Sequence, residues 1–367
     1  MSNLTMMINS LRNDKRYPDN WFLNIFGFRE SVENVYKYIN CKTIGDNVIM
    51  RSEANGRQFN TGNFSIRNVS SFNFTKRGGG KLNIIIGTEN VKQRKDLIDV
   101  LLSQSLPEND GATYLAASNF NALEFTSSME TARKGITNYA FDYTQGPYCA
   151  LAAPQSALYR NYFLPVGNGI GQIENEINLL SSTPIKVLHG YAQIGEKDLA
   201  ILESLRFDWD NLSNYNVAVH RNNQLVMSRG EKQTLVLVPD TNRIIHHVYA
   251  AAFDFSYSVI DTPFTRYIAS NLLEAQYRCA ILSAWENYLL CPDRLGSNKL
   301  YLTLLGGGVF KNSHQSIAEA IKKCAQLIID SGLEVNIVCY SPSSGSKVEP
   351  ILRNIVAQTG GSTIFAD

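Results

Sequence analysis

Residues 301–328 read YLTLLGGGVFKNSHQSIAEAIKKCAQLI, a β-rich run that breaks on Gly306, Gly307 and Gly308 and resumes with helical spacing. Ile317, Ile321, Cys324 and Ile328 fall four, three and four residues apart, so one helix face is apolar, and Asn312 or Ser313 can cap its start. The β-rich run 333–340 follows, which makes a strand–helix–strand unit whose loop lies at the carboxyl end of a parallel strand, where α/β folds place ligands. Glycines there permit positive φ and let main-chain N–H groups approach an anion, and the helix start adds partial positive charge. A diphosphate fits such a loop; so does a plain tight turn. The segment lacks the lysine of GxxxxGK[ST] and the spacing of GxGxxG, which argues against an ATPase or a Rossmann dehydrogenase.

Working outward, KLNIIIG (81–87), ATYLAA (112–117), IKVLHGY, YNVAVHR, TLVLVP (234–239) and IIHHVYAAAFDF (244–255) read as strands, with LEVNIVCYSP closing the sheet. VKQRKDLIDVLLSQ, with Leu97, Val100 and Leu101 on one face, reads as a helix, as do GPYCALAAPQSALYRNYF, GQIENEINLLSS and 265–290; Pro154 is a candidate kink. Alternating strands and helices give an α/β sheet flanked by helices on both faces. Residues 1–80 mix an apolar cluster (WFLNIFGF), a helical SVENVYKYI and turn-rich NGRQFNTGNF and KRGGG, and read as an N-terminal extension packed on a core at 81–367.

With 367 residues, 44% of them hydrophobic, the chain can bury a sizeable core, and a net charge of +1 gives no field to attract nucleic acid or an acidic membrane. No run approaches a membrane span, and the N-terminus lacks an apolar leader core. The six cysteines show no CxxC spacing and several sit in apolar runs, as in a reducing compartment, so the expectation is a cytoplasmic protein, or one delivered into a host cytoplasm.

A second polar concentration lies in AASNFNALEF and DYTQGPYCALAAPQSALYRNYF, which carry Asn119, Asn121, Glu124, Asp142, Gln145, Arg160 and Asn161. Together with LTLLGGGVF and VNIVCY, this pattern resembles the macrodomain superfamily, in a divergent branch related to poly(ADP-ribose) glycohydrolases and bacterial ADP-ribosylhydrolases. The likeness covers roughly residues 112–175 and 234–342, with an echo in FGFRES. It implies a macrodomain-like mixed sheet and ADP-ribose as ligand, alone or on a modified protein, with no cofactor and no metal. It implies Asn121, in SNFN with Asn119, as the residue facing the distal ribose, Gln145 near it, and the loop Gly306, Gly307, Gly308, Val309 and Phe310 around the diphosphate. The family carries Gln-Glu-Glu at the helix start after the first loop; here Gln145 is followed by Gly146 and Pro147, and the family's first-loop glycine triplet is missing.

Hydrolysis at an anomeric carbon passes through an oxocarbenium-like state that a carboxylate stabilises or supplies with water. Asp142, Glu124, Asp254 and Asp261 are the candidates. Asp142 also suits a helix cap, Glu124 an ion pair with Arg160, and Asp254 and Asp261 ordinary turns. His246 and His247 are adjacent on a strand, so they face opposite ways and do not share a metal. His314 either touches phosphate or begins a solvated helix, Tyr159 and Tyr162 read as core, and no GxSxG elbow anchors a serine triad. Three functions follow: an ADP-ribosylhydrolase acting on a modified side chain such as arginine, a reader that binds ADP-ribose without cleavage, or a scaffold.

Overall fold

The computed structural model describes residues 20–73, 75–88, 95–230 and 234–366. A ten-stranded sheet runs through them. Its strands are β1 (Ile39–Ile44), β2 (Asn47–Ser52), β3 (Gln58–Arg67), β4 (Lys81–Gly87), β5 (Thr113–Ala117), β6 (Val217–Gln224), β7 (Ile244–Ala250), β8 (Lys299–Thr303), β9 (Glu334–Cys339) and β10 (Thr363–Ala366). They lie in the order β1-β2-β3-β6-β7-β5-β8-β9-β4-β10. Pairing is antiparallel from β1 to β7 and parallel from β7 to β10. The sheet is therefore mixed, and the carboxyl ends of its parallel half share one edge.

Period-two alternation supplies both faces. Tyr114, Ala116, Ala218 and Tyr249 join one core, with the helices Asn20–Phe26, Gln145–Leu151 and Pro154–Tyr162. Leu115, Val217, Val219, Val248 and Ala250 join the other, with most of the long helix Pro263–Leu290 and the helices His314–Lys322, Ala325–Ser331 and Pro342–Gln358. The long helix starts at Thr262, whose hydroxyl accepts from Thr265 N, with Pro263 in the first turn.

Several elements differ from the sequence reading. NGRQFNTGNF is mostly β3, and β1 to β3 extend the sheet edgewise while the helices at 20–38 cover its face. Residues 171–182 form turns, not a helix, because their amides are engaged elsewhere: Ile177 N donates to Gln172 Oε1, Leu180 N to Asn178 Oδ1 and Leu179 N to Phe120 O. The segment at 95–104 is a short 3₁₀ turn and one helical turn capped by Asp99, and residues 91–94 of that expected helix lie outside the described residues, as does the N-terminal stretch 1–19. Pro154 divides its helix in two, and the helix after the glycines breaks at Lys323 and Cys324 while keeping its expected buried face. The strand at 334–339 is interior; β4 and β10 finish the sheet beyond it. Among the described residues no helix is long and apolar enough to cross a membrane.

Candidate active site

The parallel half of the sheet divides at one place. β5 pairs with β8 only through Thr113 and Tyr114, opposite Leu300 and Tyr301, although β5 stays paired with β7 as far as Ala117 and β8 with β9 as far as Thr303. The Tyr114 and Tyr301 rings stack at the fork, 4.6 Å between centroids. Beyond it Gln145 takes the place of the missing strand: its Oε1 accepts from Ala117 N at 2.8 Å and its Nε2 donates to Leu115 O at 2.9 Å. The free ladder edge is thereby satisfied without closing the gap. A cleft of about 1050 Å³ opens there, at the upper end of the size of small-molecule sites, roughly 300–1,000 Å³.

The glycine loop forms one wall. Gly306 has φ +69°, and a Cβ there would lie 2.5 Å from Asn312 Nδ2 and 2.7 Å from the Ala252 side chain. Buried Asn312 holds the loop shut by donating to Phe253 O (2.8 Å) and Gly306 O (3.3 Å), while Ser313 caps the helix. The amides of Gly308, Val309 and Phe310 have no acceptor among the described residues, and a Cβ on Gly308 would meet nothing. His314, in the first helical turn, also lines the cleft, its pKa lowered by burial and by Lys347. The loop therefore presents unpaired donors and little negative charge, the arrangement an anion requires.

Opposite lies the turn after β5. Ala122 adopts φ +57°, Ala122 N donates to Asn119 O and Leu123 N to Asn121 Oδ1, so the chain folds back tightly and brings Glu124 to the cleft. Glu124 is almost fully buried, and its Oε1 has no partner among the described residues. Burial pushes its pKa up to about 8, against the lowering influence of the Arg160 guanidinium. A carboxyl that exchanges its proton close to neutrality can act as acid or base. Asp142 lines the same cleft and its charge raises the Glu124 pKa further; its Oδ1 accepts from Thr144 N (3.0 Å) and Oγ1 (2.7 Å), a turn cap just before the helix.

The structure thus brings Asn119, Glu124, Asp142, Gln145, Gly306, Gly307, Gly308, Val309 and Phe310 around one cleft. It places three other candidates elsewhere. Asn121 is fully buried and turned toward Glu176, which it contacts at 3.3 Å. Asp254 lies in a turn beyond the end of β7, where its carboxylate accepts from Ser256 N at 2.9 Å and from the Ser256 hydroxyl. Asp261 is half exposed and accepts from Arg266 Nε and Nη2, each at 2.7 Å. Asn119 Nδ2 donates to Phe125 O, and the Gln145 amide serves β5, so both shape the wall chiefly through main-chain neighbours. His246 and His247 are buried in separate hydrogen bonds, to Asn222 N and to Gln104 with Tyr249.

Sequence reasoning missed Tyr191, whose ring meets Phe310 at 5.8 Å across the mouth and whose hydroxyl donates to Phe125 O. It also missed Arg229, which bonds Asp99 at 2.7 Å and lies over the Tyr148 ring on the far wall. Both come from short hairpins with little periodic pattern.

No protein-family model matches the chain, and no curated protein matches it significantly. Among solved structures, it is similar to poly(ADP-ribose) glycohydrolase from Deinococcus radiodurans in complex with ADP-ribose, at 13% identity and TM-score 0.40, covering 79% of this chain and 95% of that one. It is also similar to the poly(ADP-ribose) glycohydrolase from Thermomonospora curvata, at 11% identity and TM-score 0.39, covering 88% and 96%.

Proposed function

We propose that the chain is a macrodomain-like ADP-ribosylhydrolase, with its catalytic core in residues 81–367, acting on ADP-ribosylated protein in a reducing, cytoplasmic setting. The observation that carries this reading is the pairing, across one cleft, of the unpartnered amides at 308–310 with the buried carboxyl of Glu124, whose pKa burial raises. The amides receive the diphosphate, and the distal ribose lies toward Asn119 and Glu124. As the anomeric bond to the protein side chain breaks, ionised Glu124 takes a proton from the attacking water, the hydroxyl joins the anomeric carbon, and Glu124 passes that proton to the departing side chain, which leaves the carboxylate as it began. Asp142 strengthens the negative field at the developing cation. The acceptor is a protein side chain, with arginine the first to test.

The reader function rests on a different observation, the Gly146-Pro147 pair standing where the resembled family has two glutamates. The deciding measurement is release of ADP-ribose from ADP-ribosylated proteins by wild type and Glu124→Gln, beside calorimetry with ADP-ribose. Turnover in wild type, at least a hundredfold lower in the variant with binding kept, is expected. Binding without turnover in wild type establishes the reader; no binding removes both.

A further inference from the structure

Behind the Glu124 turn lies a buried cation. Arg160, on the helix Pro154–Tyr162, has no exposed surface. Its Nε donates to Ala122 O at 3.0 Å, its Nη1 meets His220 Nδ1 at 3.4 Å, and its guanidinium carbon lies 3.7 Å from the Tyr249 ring centroid. Guanidinium has no acceptor, so His220 Nδ1 accepts and Nε2 holds the proton. The next shell follows by the same logic. His247 Nε2 lies 2.6 Å from Gln104 Oε1, an acceptor, so Nε2 donates and Nδ1 accepts from Tyr249 Oη at 2.9 Å.

Both histidines are consequently neutral, as burial and the Arg160 charge require. Tyr139, Cys149 and Tyr249, which face Glu124 or Arg160 from three other elements, are held neutral by burial, as is Tyr191 nearer the mouth. Asp142 is the other charge that acts on Glu124, and it opposes ionisation. Arg160 forms no ion pair within 4.0 Å among the described residues, and its Nη2, like Glu124 Oε1, has no partner there. A lone buried guanidinium is costly unless a charge nearby offsets it, and the Arg160 charge in turn favours the ionised form of Glu124, two residues beyond the Ala122 carbonyl that Arg160 holds.

We propose that Arg160 is a positioning residue for Glu124: it fixes the turn through Ala122 and is the cation against which that carboxyl ionises. Direct pairing would lock the carboxylate; separation leaves it free to take and return a proton. The inference rests on the hydrolase reading for its catalytic meaning, but the coupling itself is measurable without turnover.

The experiment is carboxyl ¹³C and guanidinium ¹⁵N NMR on labelled protein across pH 5–10, with Glu124→Gln, Arg160→Lys and Arg160→Met. In wild type the Arg160 ¹⁵Nε signal is expected to move at the Glu124 midpoint, and in Glu124→Gln to stay flat. Arg160→Met raises the Glu124 midpoint by about one unit or more, whereas Arg160→Lys keeps it. The acid limb of the pH–rate profile moves with the midpoint. An Arg160 signal indifferent to the Glu124 titration, or an unshifted midpoint in a folded Arg160→Met, overturns the proposal. Because the wild-type signal needs no arginine variant, misfolding of Arg160→Met leaves the decision intact. Coupling without turnover sinks the hydrolase reading alone; turnover without coupling sinks this inference alone.

Discussion

Glu124 occupies the space that a side chain at position 146 would need. A Cβ built on Gly146 would stand 2.6 Å from Glu124 Oε2 and 1.8 Å from Ala117 O.

Gly146→Ala is therefore expected to displace both the Glu124 carboxyl and the end of β5. Overpacking at such a site costs about 1–3 kcal/mol. The variant should melt several degrees below wild type and release ADP-ribose at least tenfold more slowly. An unchanged melting temperature would show that the helix start yields freely.

Stability should depend on pH through Glu124. Its folded pKa, about 8, stands above the ordinary value of 4.5, so the folded state holds the proton more tightly than the unfolded chain. That contribution is fully present below pH 4.5, declines as the unfolded group ionises, and is lost by the time pH has risen through 8. The shift corresponds to an amount on the order of 5 kcal/mol. Glu124→Gln lacks the titration, so its denaturation midpoint relative to wild type should rise between pH 5 and 8.5. A constant difference across that range contradicts the burial of the carboxyl.

The glycines of the loop should separate by position. Gly306→Ala combines positive φ with a 2.5 Å approach to Asn312, and should weaken ADP-ribose binding at least tenfold in calorimetry. Gly308→Ala meets nothing and needs no left-handed backbone, so it should bind within about threefold of wild type. Equal effects at both positions would deny the loop its assigned wall.

Gln145→Glu changes one atom of the strand substitute. Nε2 is lost as donor to Leu115 O, and an acceptor then faces an acceptor inside the fork. A cost of about 1–3 kcal/mol in chemical denaturation is expected, below neutral pH as well as above it if the group stays ionised. Gln145→Met, which abandons both bonds, should lose a comparable amount.

Much of this was legible in local pattern. The apolar β-branched run KLNIIIG, the four-three-four spacing after the glycines and the break at Pro154 are each carried by the composition or spacing of the segment itself, whatever it later packs against. β3 was not legible, since Gly62, at φ +76°, reads as a turn residue in the sequence but is needed within the strand because Arg221 O lies where a side chain would be. The fork was hidden for a similar reason: Gln145 serves main-chain groups 28 and 30 residues away. Among the carboxylates, Glu124 and Asp142 reach the cleft, whereas Asp254 and Asp261 share only its neighbourhood along the chain, because the turn at 254–256 and Arg266 claim them first.

The parting of β5 from β8 beyond Tyr114 leaves a seam that opens at one edge of the sheet. On one side stand the antiparallel strands with β7 and β5, on the other β8, β9, β4 and β10. A guest lodged in that seam touches both banks at once, and so works as a rivet: occupancy should stiffen the whole body rather than one loop, and slow hydrogen exchange in strands that the guest never contacts.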